Sequence, residues 1–127
     1  MPDEYRVSLT IERNGVALDG MPIIRRLIVN QDADISIVAT ADNNSTSFHP
    51  IAAAISPAMQ LFLLQTDQTI NLQINQSGTA APLPITGGGL ILIVGANLQQ
   101  ATPSLNIVFN NPGASTSANL SGLCGGT

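Results

Sequence analysis

The 127-residue chain predicts an all-β protein: a single domain, residues 1–127, folded as an antiparallel, jelly-roll-like β-sandwich of about eight or nine short strands. Three observations predict it. Apolar residues recur with a period of two, as where Val7, Leu9 and Ile11 alternate with Ser8, Thr10 and Glu12, which is the pattern of a strand with one face on a core. Gly, Pro and Asn turn signals punctuate these runs. Finally, a chain of this length buries roughly two thirds of its unfolded surface. With 44% apolar residues it can close one core without a metal or a disulfide.

In order along the chain, a first strand is expected near residues 5–12. Asn14-Gly15 is a two-residue hairpin signal leading into 15–18. Asp19-Gly20 ahead of Pro22 turns the chain again, into 23–29. The charged stretch VNQDADIS leads into a strand near 34–41, where Ile35, Ile37 and Ala39 alternate loosely. After Asn43-Asn44-Ser45 and His49-Pro50, the segment Ile51–Ser56 is the one place for a helical turn, bracketed by Pro50 and Pro57. Strands near 59–65 and 68–75 follow, with Ile70, Leu72 and Ile74 alternating with amides in the second. Ser77-Gly78 through Pro84 reads as loop. Strands near 89–94, 104–110 and 116–123 complete the set, separated by Pro103 and by Asn111-Pro112-Gly113.

Charge is scarce and confined. Only 9% of residues are charged, all within positions 3–67, and the sixty residues from Gln68 to Thr127 hold none. The four basic residues are arginines, Arg6, Arg13, Arg25 and Arg26. A formal charge of −4 with pI near 4.4 and no basic stripe argues against nucleic acid. The apolar runs Leu61–Leu64 and Leu90–Val94 fall far short of the ~20 residues of a membrane helix. MPDEYRVSL begins acidic and passes straight into a strand pattern, so no secretion signal is expected. A lone Cys124 allows no intrachain disulfide, which suits a reducing cytoplasm, and reads as a small, partly buried apolar group.

No stretch carries a recognisable chemistry. The glycines of ITGGGLILIVG, residues 85–95, precede a strand rather than follow one. A phosphate loop wants strand, glycines and then helix, with a lysine, and the chain contains no lysine. Gly87–Gly89 therefore read as a turn into Leu90–Val94. The only histidine, His49, has no second metal ligand pattern around it and no nucleophile turn to serve. Asn30, Asp32 and Asp34 have the alternate spacing of a calcium loop, but Ile35 and Ala41 stand where that loop needs glycine and an acid. Few of the eight acids could pair for glycoside hydrolysis. The triplets starting at Asn43, Asn44, Asn75 and Asn119 match glycosylation sequons, which arise by chance in such a composition. No enzyme, cofactor or metal is expected.

A soluble domain normally spreads charge over its outer faces, and long neutral strands pair edge to edge unless covered. The neutral half is therefore expected to be buried against other subunits. Adjacent Arg25 and Arg26 point to opposite faces of a strand, so one is expected to face inward or toward a partner, the alternative being a solvated pair that guards a strand edge.

The stretches LLQTDQTINLQIN, GGGLILIVGANL and SLNIVFNNPGASTSANLSGLCGGT resemble, over about residues 61–127, small virion proteins of tailed bacteriophages. The resemblance is to capsid decoration (cement) proteins and implies a compact β-fold, often trimeric, that clamps neighbouring capsid subunits. It brings no catalytic residues. On this reading the partner is the major capsid protein or another virion protein, and the chain acts on the capsid surface after synthesis in the host cytoplasm. The interface residues expected are Tyr5, Arg6, Arg13, Arg25 and Arg26, with residues 1–13 as an arm, and Gly88 and Gly89 where neighbouring backbones approach. A phage tail, fibre or adaptor component is the alternative. A carbohydrate-binding adhesion module is a second one, with Tyr5 as its lone ring platform.

Overall fold

The computed structural model describes residues 2–43, 48–51, 58–74, 82–99 and 107–126. Among them the chain is all-β, with no helix and twelve strands. These are β1 (Asp3–Leu9), β2 (Glu12–Arg13), β3 (Val16–Ala17), β4 (Ile23–Val29), β5 (Gln31–Ala39), β6 (His49–Pro50), β7 (Ala58–Thr66), β8 (Ile70–Ile74), β9 (Leu83–Ile85), β10 (Leu90–Gln99), β11 (Ile107–Asn110) and β12 (Ala118–Gly126). Every pairing between them is antiparallel.

The count exceeds the expected eight or nine because several pieces are too short to carry a period. β6 is two residues in which a proline takes part, and β9 is a three-residue run inside what reads as loop. The expected first strand is split into β1 and β2. Conversely, β4 and β5 are separated by Asn30 alone, so the charged turn expected at VNQDADIS is in fact strand. The helical turn expected at Ile51–Ser56 lies, beyond Ile51, outside the described residues, as do 104–106 of the strand expected at 104–110.

Strands β5 to β12 form two four-stranded sheets. The first has the order β10-β7-β12-β5 and the second β6-β11-β8-β9. The chain passes back and forth between them, with β5, β7, β10 and β12 in the first and β6, β8, β9 and β11 in the second, where β8 and β9 are paired neighbours. Both contribute to one buried cluster. Ile35, Phe62, Leu64, Leu120 and Cys124 enter it from the first sheet and Ile70, Leu72, Ile85, Ile107 and Phe109 from the second. Phe62, Leu64 and Ile70 are fully buried. At roughly 1.5–3 kcal/mol for each large apolar side chain removed from water, this cluster is the main source of stability.

Alternation then fixes the opposite face of the first sheet. Because Phe62 and Leu64 point inward, Leu61 and Leu63 point outward, and the register carries this across neighbouring strands. Asp34, Leu123, Leu63 and Leu92 form one outward row, and Ser36, Ser121, Gln65 and Leu90 the next. Gly122, in the middle of β12, has no room for a side chain, since a Cβ there would overlap the Leu63 carbonyl.

Residues 3–29 stand apart from these sheets. β1 and β4 form a two-stranded ribbon, with Asp3 opposite Val29 and Leu9 opposite Ile23. β2 and β3 cap it as a hairpin. Asn14 and Gly15 both take positive φ, 53° and 81°, as a tight two-residue hairpin turn requires.

Candidate functional site

Among the described residues, the ribbon is left largely uncovered by the rest of the fold. Cross-strand partners share a face, so Tyr5, Val7, Leu9, Ile23, Arg25 and Leu27 lie on one side. Glu4, Arg6, Ser8, Ile24, Arg26 and Ile28 lie on the other. The root of the apolar side is anchored. Val29 is 1% exposed and meets Gly125, where an added Cβ would come within 3.3 Å of a Val29 methyl. The Tyr5 hydroxyl donates to Asp32 on β5. That hydrogen bond, some burial and the charges of Asp32, Asp3 and Asp34 push the phenol up to about 12, so the ring stays a neutral donor. Toward the tip cover is lost: Leu9 is 40% exposed, Ile11 48% and Val16 70%.

Five of the seven expected interface residues come together here. Tyr5 and Arg6 are on β1, Arg13 on β2, Arg25 and Arg26 on β4. The two adjacent arginines do point to opposite faces. Arg26 lies 3.6 Å from Glu4 in an exposed ion pair, directly across from Arg6. Arg25 donates from Nη1 to the Ile24 carbonyl at 2.9 Å. Such exposed pairs contribute little to stability, so these guanidinium groups keep most of their donors for something else.

Gly88 and Gly89 lie at the opposite end of the first sheet, in the turn between β9 and β10. Gly88 has φ +81°, and its amide donates to the Thr66 carbonyl at 2.9 Å. A Cβ at Gly89 would lie 2.8 Å from the Thr86 carbonyl oxygen. Each glycine thus has a reason within its own chain, and the run is a turn into a strand, as its order predicts.

The same end carries the polar structure. Asn111, 1% exposed, ties three segments together: its Nδ2 donates to the carbonyls of Ala39 (3.1 Å) and Thr116 (3.0 Å), and its Oδ1 accepts from the Gly113 amide (3.1 Å). Asp42 accepts from the Asn111 amide at 3.0 Å and faces His49 Nε2 at 3.0 Å. The His49 hydrogen bond, helped by the Asn111 amide, holds the Asp42 carboxyl below its usual range against the opposing effect of burial. Asp67 accepts from the amide and side chain of Asn119 at 2.7 and 2.6 Å, and these hydrogen bonds lower it too. Two grooves open between these loops. One of about 330 Å³ is lined by Gln68, Thr69, Asn111, Pro112, Gly113 and Thr116; another of about 310 Å³ runs past Asp67, Gly88 and Asn119. Asn111, Asp67 and Asn119 within them are occupied in holding loops.

Asp32 and Asp34 stand on β5, not in a loop. Among the described residues no group of three or more His, Cys, Asp or Glu could hold a metal ion, and no helix is long and apolar enough to cross a membrane. Cys124 is buried in the core with its Sγ 3.6 Å from the Ala33 carbonyl, and burial pushes its thiol up.

One surface was missed in the sequence reading. The outward side of the first sheet carries Leu63, Leu90, Leu92, Val94 and Leu123, of which Leu90 is 61% exposed and the others half-buried. The signal was there in Leu61-Phe62-Leu63-Leu64, four apolar residues in a row, which is how a strand covered on both faces reads. Compared with protein-family models, curated proteins and solved structures, the chain gives no match.

Proposed function

We propose that the chain is a structural virion protein of a tailed bacteriophage, a decoration protein that binds the major capsid protein on the head surface as a homotrimer and is not an enzyme. The observation that carries this reading is the uncovered ribbon: a two-stranded arm that keeps apolar side chains and four arginines in solvent. An isolated two-stranded ribbon is marginal in water, so such an arm is worth keeping only where it docks. Its polar side, with Arg6 and Arg26, is the side offered to the shell. Behind it stands a rigid body read as a jelly-roll sandwich, because the two strand orders, β5-β12-β7-β10 and β6-β11-β8-β9, are those of two interleaved Greek keys. The charge-free strands of that body supply self-association, and large weakly charged interfaces suit obligate assemblies.

Co-sedimentation of the purified protein with expanded capsids tests this. Saturable binding at hundreds of copies per particle is expected, weakened by Arg6→Glu with Arg26→Glu. Absence of binding overturns the reading, and a handful of copies per particle assigns the chain to the tail, fibre or adaptor class instead.

A further inference from the structure

We propose that the apolar side of the ribbon seats on the outward side of the β10-β7-β12-β5 sheet of a second copy of this chain, head to tail. The inference rests on the oligomeric part of the reading above and names its contact. Among the described residues, apolar side chains gather on two sides that no other described element covers: the ribbon side with Leu9 and Ile23 (40% and 37% exposed), and the sheet side with Leu63, Leu90, Leu92 and Leu123; Ile24 and Ile28 (39% and 63%) are interspersed among the polar residues of the ribbon's other side. Each is a place where water contact is unfavourable, and each needs a partner of the same character.

Charge decides which surface meets which. The ribbon segment carries all four arginines with Asp3, Glu4, Glu12 and Asp19, whereas the body carries Asp32, Asp34, Asp42 and Asp67 and no Lys or Arg. On the two apolar sides themselves, ribbon against ribbon would set Arg25 beside Arg25, and sheet against sheet would set Asp34 beside Asp34. Ribbon against sheet is the pairing with opposite signs. The residues stand where that pairing needs them. Arg25 sits within the apolar side of the ribbon, opposite Val7, and spends one nitrogen on the Ile24 carbonyl. Asp34 sits at the edge of the sheet's apolar side, directly opposite Leu123.

The root of the ribbon shows the same chemistry on a small scale. There Val29 lies on Gly125 and the Tyr5 hydroxyl donates to Asp32, an apolar contact beside an aspartate. Seven-residue strands extend about 23 Å at the usual rise, enough to cross onto a neighbour. Because the two surfaces differ, the contact is heterologous, and it repeats from copy to copy until a ring closes.

Two singly substituted chains of different tag length, Ile23→Cys and Leu92→Cys, test the contact directly when mixed, allowed to exchange subunits and oxidised. The native Cys124 is buried and does not compete. The expected product is the mixed disulfide between the two chains. Like-to-like disulfides only, or none, overturn the inference. Independently, Arg25→Asp and Asp34→Arg are each expected to shift the solution mass at micromolar concentration from ring to monomer with the far-ultraviolet spectrum unchanged, and the double variant to recover the ring. A double variant that stays monomeric overturns the pairing. A wild-type monomer that still coats capsids removes this inference and leaves the virion reading standing; a ring that ignores capsids does the reverse.

Discussion

The body and the ribbon use one sequence pattern and reach opposite ends. In the body, alternation takes Phe62, Leu64, Ile70 and Leu72 to 0–1% exposure. In the ribbon, Leu9 and Ile23 alternate just as regularly and remain 40% and 37% exposed, with Val16 at 70%. The residues do not differ in kind; the second layer does. In the body, residues of two sheets share one buried cluster, whereas the described chain supplies nothing to cover the ribbon beyond its root. A period of two states that a strand has two unlike faces. It does not state what will cover the apolar one.

The comparison breaks most violently at Gly122. Its neighbours in the register are Ile35 on one side and Leu64 on the other, so it sits in the centre of the body where two strands flank it. A Cβ there would overlap the Leu63 carbonyl, and backbone has no rotamer into which to retreat. Gly122→Val is expected to cost more than about 4 kcal/mol, at the extreme of single substitutions, and to abolish the cooperative urea transition followed by far-ultraviolet circular dichroism. A variant that unfolds with the wild-type midpoint would show that the body tolerates rearrangement at its centre.

That glycine illustrates how much was legible. The strands long enough to show a period were readable, as were the Asn14-Gly15 hairpin and the turn through Gly88. Gly122 was not, because a glycine in SGLCGGT looks like its neighbours until the partner strand is known. The short strands β6 and β9 escaped for want of length, and the Asn111 network escaped because Asp42 and Asn111 meet across 69 positions of chain. At the candidate site the arginines were readable as a group, being the only cations. Their gathering on one ribbon depended on β4 pairing with β1, and pairing is long-range information.

A middle-sized effect lies at the loop end of the body. The folded state holds Asp42 below its ordinary value, through the His49 hydrogen bond first. A carboxyl lowered on folding adds stability above its unfolded pKa, about 3.9, and that stability disappears as pH falls through the folded value. Asp67, lowered by Asn119, acts in the same direction. Asp42→Asn is therefore expected to lose on the order of 1 kcal/mol at pH 6, and the difference from wild type should shrink toward zero as pH falls through the lowered folded-state value of Asp42. Urea midpoints measured across that window check it; a gap independent of pH would mean that Asp42 acts by shape alone.

The smallest effect on folding belongs at the ribbon tip, and there the contrast with the body is sharpest. Val16→Asp replaces an apolar side chain by a charge, a change that in the position of Phe62 would empty the core and strand a carboxylate. At Val16, with 70% of the residue in solvent, nothing apolar is lost that was buried, and the Asn14-Gly15 turn that sets the hairpin register is untouched. Surface substitutions of this kind move stability by about 0.5 kcal/mol or less, so the urea midpoint should stay at the wild-type value. A clear drop in the monomeric protein would mean that the ribbon tip is held by its own chain, and the division between a self-sufficient body and a partner-seeking ribbon would fail at its simplest point.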